Sequence, residues 1–172
     1  FKCNATPRPY ANVASGTGAL HALSGTTILT NGNGYSGGTT IDSGAVLQLG
    51  NGSTTGSITG DVLDNGALVI NRGPLVGSSA SFGGNITGTG SLNLTGKAIV
   101  TLSSTANTFS GGTNIQQGTL KAGAANVLSP NSLVTVGSPG LVGTLDLNGF
   151  GQIADGIAAA GTGLASRATI EI

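Results

Sequence analysis

One internal repeat constrains this chain more than any other feature. Tyr35–Gly50 reads YSGGTTIDSGAVLQLG, and Phe109–Gly123 reads FSGGTNIQQGTLKAG, at an offset of 109 − 35 = 74. Related pieces flank both copies in the same order. Gly16–Gly34 and Gly88–Thr108 lead in, while NGALVIN at Asn65–Asn71 and GTLDLN at Gly143–Asn148 follow. A recurring unit of this size is one supersecondary module that buries its apolar face only by stacking on its neighbours.

A finer period lies beneath. Apolar pairs spaced two apart recur at Leu47/Leu49, Leu68/Ile70, Leu92/Leu94, Leu120/Ala122 and Leu145/Leu147, in successive steps of 21, 24, 28 and 25. Alternation over three to five residues between Gly, Asn and Ser clusters is the signature of short strands joined by turns. Strands this short are not stable alone. Stacked in parallel at the ~4.8 Å strand spacing, they form a continuous apolar column. The pattern predicts an all-β fold, a parallel β-helix of about seven coils. Residues 1–14 are expected as an irregular leader, 15–151 as the repeat-built body, and 152–172 as a divergent final coil or cap. An antiparallel sandwich is the competing architecture, but it gives no reason for the repeated Gly-Gly-Thr-x-Ile unit.

Composition follows from this architecture. Gly, Thr, Ser and Asn make up 85 of 172 residues, and charged residues only 7%, against ~25% in an average soluble domain. Stacked like charges repel, whereas Thr, Ser and Asn form outward ladders. Leu, Ile, Val and Phe total 43 of 172 residues with zero net charge, which argues for a folded chain over a disordered one. Six cations spread along the chain argue against a nucleic-acid-binding face. A single cysteine excludes an intramolecular disulfide, and no apolar run is long enough for a transmembrane helix. The chain starts at Phe1 without a signal-peptide pattern and reads as a processed or excised piece.

The search for chemistry is largely negative. The acids are Asp42, Asp61, Asp64, Asp146, Asp155 and Glu171. Only Asp61 and Asp64 stand close, in GDVLDNG, and Asp64-Asn65-Gly66 reads as a turn in which Asp bonds its own backbone. His21, in ALHAL, reads as an outward strand residue. No nucleophile elbow, calcium β-roll pattern or phosphate-binding loop is present. Cys3 has no nearby His or Cys with which to hold a metal. Tyr35 and Phe109 read as corner or core residues. Arg72, Lys97 and Lys121 are expected to make at most a weak basic patch. The adjacent pairs Thr26/Thr27, Thr39/Thr40 and Thr54/Thr55 point to opposite faces of a strand, which disfavours an ice-binding face. No catalytic, cofactor-binding or metal-binding residue is predicted, and no cofactor.

The segments at Tyr35–Asn51, Phe109–Gly123 and GTLDLNGFGQ at Gly143–Gln152 resemble the autotransporter-associated β-strand repeat. That repeat occurs in passenger domains of Gram-negative type V secretion proteins of the pertactin-like group. The resemblance implies a right-handed β-helix, export through the periplasm, and passage through an outer-membrane β-barrel translocator made by the same polypeptide. It also implies display on the cell surface or release. The function expected is a scaffold with an adhesin- or receptor-binding-like, virulence-associated role toward a host or bacterial cell-surface protein or glycan. A carbohydrate-active β-helix enzyme is the alternative, and it requires at least two acids on one cleft. End-to-end self-association is a further expectation, because open solenoid ends expose strand edges.

Overall fold

The computed structural model describes residues 2–3, 8–74, 80–160 and 167–171. The side chains of Lys2, Cys3, Arg8 and Arg167–Glu171 lie outside the described residues, so the Cys3 thiol and the Glu171 carboxylate are not placed. The chain is all-β, and every pairing between strands is parallel. It winds as a solenoid of about seven turns around one apolar core.

Three sheets form its walls. The first stacks Lys2–Cys3, Leu20–Ala22, Thr39–Ile41, Val62–Asp64 and Ile86–Thr87. The long sheet runs through eight strands: Arg8–Tyr10, Thr26–Leu29, Val46–Leu49, Ala67–Ile70, Ser91–Leu94, Thr113–Ile115, Leu133–Val136 and Gly156–Ala159. The third stacks Ala80–Phe82, Ile99–Leu102, Gly118–Ala122, Val142–Asp146 and Arg167–Glu171. Strand pairing therefore begins within residues 1–14, at Lys2–Cys3 and Arg8–Tyr10, and extends into residues 152–172.

The core is a set of columns. Leu29, Leu49, Ile70, Leu94, Ile115 and Val136 follow one another in register, each 4% exposed or less. Beside them run Thr27, Leu47, Leu68, Leu92, Thr113 and Val134. Burying each large aliphatic side chain contributes about 2–3 kcal/mol. This alternation of inward and outward positions is why apolar pairs two residues apart mark the strands. Outside, the expected polar ladder is present. Asn114 Nδ2 donates to Asn93 Oδ1 across one coil at 2.8 Å, and Asn93 Nδ2 donates to Ser91 Oγ at 2.9 Å.

The step from Leu92 to Leu120 is not a coil step. Leu92 stacks on Thr113 in the long sheet, whereas Leu120 stacks between Val100 and Leu145 in the third. The two repeat copies accordingly lie on different walls: Thr39–Ile41 belongs to the first sheet and Thr113–Ile115 to the long one. The column above Thr39 passes through Val62 and Ile86 and reaches Asn107, opposite Ile86, where Thr108 N–H bonds the Ile86 carbonyl at 2.9 Å. Over three coils the numbering thus advances by 107 − 39 = 68. The repeat offset of 74 overshoots this by six, enough to carry the chain around one corner.

Candidate functional site

The repeat is a corner module, and each of its residues has a physical task. Gly37 and Gly111 are places of close approach. A Cβ on Gly37 would lie 2.7 Å from the Gly18 carbonyl carbon, and one on Gly111 would lie 2.4 Å from the Gly90 oxygen. The next glycines, Gly38 and Gly112, have φ of 79° and 97°, a region costly for any residue with a Cβ. Thr39 and Thr113 then turn inward, followed by Ile41 and Ile115, all 3% exposed or less. Tyr35 and Phe109 fill the core at 3% and 1% exposure, as expected. The Tyr35 hydroxyl bonds Thr39 Oγ1 at 2.7 Å. Phe109 has no hydroxyl, and in that copy Thr113 Oγ1 bonds Ser132 Oγ at 3.1 Å instead.

Sequence reasoning missed two residues of this module. Asn33 and Asn107 stand two positions before the aromatic residues, at the same offset as the repeat, and both are 3% exposed. Each bridges three successive coils. Asn33 Oδ1 accepts from Ala14 N–H at 2.9 Å, and its Nδ2 donates to the Asn31 and Ser57 carbonyls at 2.8 and 3.1 Å. Asn107 Oδ1 accepts from Ile86 N–H at 2.8 Å, and its Nδ2 donates to the Ser104 and Val127 carbonyls at 3.1 and 2.7 Å. The amide supplies the donor and acceptor that a strand would supply, at a corner where strands stop. Gln152 continues the pattern, accepting from Val127 N–H at 2.8 Å and Leu128 N–H at 3.2 Å.

Among the described residues the acidic side chains do not converge on one face. His21 Nε2 lies 2.8 Å from Asp42 Oδ1 on the outside of the first sheet, both about 40% exposed. Asp61 is exposed and accepts Asn85 N–H at 2.8 Å. Asp64 is completely buried, and its Oδ1 accepts Gly66 N–H at 3.0 Å, the turn bond expected for Asp-Asn-Gly. Asp146 sits on the third sheet, 3.0 Å from Lys121 Nζ. Asp61 thus precedes, and Asp64 closes, the short strand Val62–Asp64, one exposed and the other buried. Among the described residues, no cluster of three His, Cys, Asp or Glu side chains is suited to a metal ion. The Thr26/Thr27 and Thr39/Thr40 pairs split between the interior and the outer face, while Thr54 and Thr55 are both exposed.

The cations are partly gathered. Arg72 and Lys97 come from successive coils at one corner, where Ala98 N–H bonds the Arg72 carbonyl at 3.1 Å. Arg72 points partly inward and donates to the Thr54 carbonyl. Lys97 is exposed and borders an open groove of about 390 Å³ with Gln117, Thr119, Leu141, Val142 and Thr144. Lys121 lies further along the same wall. This outer face of the third sheet combines a groove, two cations, hydroxyls and the exposed apolar residues Ile99 and Val142.

Comparison with known proteins agrees with this layout. The family model of the passenger-associated-transport-repeat matches residues 24–49 and 95–122. The adhesin BmaC autotransporter of Brucella suis biovar 1 (strain 1330) is 48% identical over 58 residues, 34% of this chain and 2% of that protein. The chain therefore spans a small fraction of the length of that relative. No solved structure matches it. Two stretches of the chain thus match the passenger-associated-transport-repeat, and both lie on a parallel β-solenoid.

Proposed function

We propose that this chain is a rigid scaffold and binding surface of a passenger that is displayed on, or released from, the bacterial surface. Its partners are a host or bacterial cell-surface protein or glycan, and a β-barrel of the parent polypeptide carries it across the outer membrane. The observation that carries this reading is the 48% identity to an adhesin autotransporter over 58 residues. The physics of the fold supports it. Coils contact only their neighbours, so a solenoid presents long flat faces suited to recognition. In this reading the recognition face is the outer side of the third sheet, where Lys97, Gln117, Thr119 and Thr144 line the groove and Lys121 stands further along the same wall. In the same reading residues 15–151 are the repeat-built body, and residues 152–172 a divergent final coil or cap.

The test is adhesion of a non-adherent bacterium that displays the whole chain on a neutral β-barrel. Attachment to epithelial cells above the barrel-only control is expected, with at least a several-fold fall for Lys97→Gln/Lys121→Gln. Attachment equal to the control would overturn the adhesive role. Attachment unchanged in the double variant would move the recognition face elsewhere.

A further inference from the structure

Asp64 has no solvent exposure at all. It closes the Val62–Asp64 strand and stands in register with Ile41 of the preceding coil, so a carboxyl occupies a core position held by Ile one coil away. The following coil makes room for it. A Cβ on Gly90 would lie 2.3 Å from Asp64 Cγ and Oδ1, and one on Gly88 would lie 2.2 Å from the Asp64 carbonyl oxygen. Gly90 N–H bonds that carbonyl oxygen at 2.7 Å. Oδ1 accepts Gly66 N–H, while Oδ2 has no hydrogen-bond partner.

Among the described residues no cation pairs with this carboxyl. In the two preceding coils, His21 and Asp42 pair with each other on the outer side. Just before its own strand, Asp61 is exposed and accepts Asn85 N–H. The following coil has no titratable residue from Ile86 to Leu94. A buried carboxylate oxygen without a donor is costly, and a protonated one much less so.

We propose that Asp64 is a proton-operated clasp between the fourth and fifth coils. Protonated, it seals the Gly88–Gly90 corner; ionised, it draws water in and loosens that corner. Desolvation pushes its pKa from 3.8 up to about 6, against the smaller opposing pull of the nearby Gly66 and Leu68 backbone N–H groups. The folded-state pKa is raised, so the stabilisation is complete below the unfolded value and is lost as pH rises through about 6. The rod is then tighter at mildly acidic pH than at neutral pH. The glycine stack lets the corner give. Gly111 lies directly against Gly90, so this corner is packed backbone on backbone with no side chain interlocked between the coils.

Three measurements on the intact chain test this. Carboxyl ¹³C NMR of the folded protein is expected to show an aspartate titrating near pH 6 that disappears in Asp64→Asn; midpoints near 4 for every aspartate would overturn the clasp. The folding constant of the wild type is expected to fall roughly 100-fold between pH 4 and pH 7.5, the effect of about two pKa units. Asp64→Asn should remove most of that fall, and an equal fall in the variant would refute the proposal. Hydrogen exchange, corrected for its intrinsic pH dependence, should show Gly90 and Ser91 losing protection between pH 5 and pH 7.5 while Leu47 does not. Uniform behaviour of these amides would also refute it. If Asp64→Asn does not fold, the wild-type titration and exchange decide.

Discussion

Replacing Asn107 by Ala should damage this fold more than its small size suggests. The side chain is 3% exposed and makes three hydrogen bonds, to Ile86 N–H, Ser104 C=O and Val127 C=O. Those groups belong to three successive levels of the solenoid, and truncation orphans all of them. A buried backbone donor left unpaired costs about 1–3 kcal/mol, and each carbonyl about 1 kcal/mol because it has a second lone pair. The sum is about 3–5 kcal/mol, or a fall in Tm of roughly 10 °C for a chain of this size. Urea unfolding followed by far-UV circular dichroism measures it. Hydrogen exchange locates it, since Ile86 N–H should lose protection most. Asn114→Ala is the control. That residue gives one bond, to Asn93, on the outer face, and its loss should cost under about 0.5 kcal/mol. The reasoning fails if Asn107→Ala unfolds within about 1 kcal/mol of the wild type, or if Asn114→Ala costs as much.

Three further outcomes follow from the same structure. Leu92→Ala removes a side chain with no exposure, stacked between Leu68 and Thr113, and should cost about 3–5 kcal/mol in denaturant unfolding. Gly111→Ala should destabilise by about 1–3 kcal/mol, because its Cβ meets the Gly90 backbone at 2.4 Å; Gly83→Ala, with open space around it, should be close to neutral in the same assay. Lys121→Gln breaks the 3.0 Å pair with Asp146 but should cost under about 1 kcal/mol, an effect that about 0.5 M salt abolishes.

The chain's period and alternation determined a good deal without any coordinates. Apolar residues two apart, separated by Gly and Asn, required short strands, and short strands required stacking. A parallel solenoid of about seven turns was the arrangement that used the repeat. The uncharged ladder, the buried Tyr35 and Phe109 and the Asp64 turn were legible for the same reason, since each is a local consequence of strand alternation or turn chemistry. Tertiary structure decided what local patterns do not carry. Coil length varies with how the chain rounds each corner, so the sequence repeat is not a whole number of coils, and Leu92 and Leu120 fall on different walls. The inward turn of Asp64 was equally hidden, because an Asp-Asn-Gly turn reads the same whether its carboxyl faces water or the core. Asn33 and Asn107 looked like any other asparagine of the chain until the corners were closed. A buried amide is stabilising only when backbone groups from neighbouring coils, distant in sequence, come within hydrogen-bond reach of it.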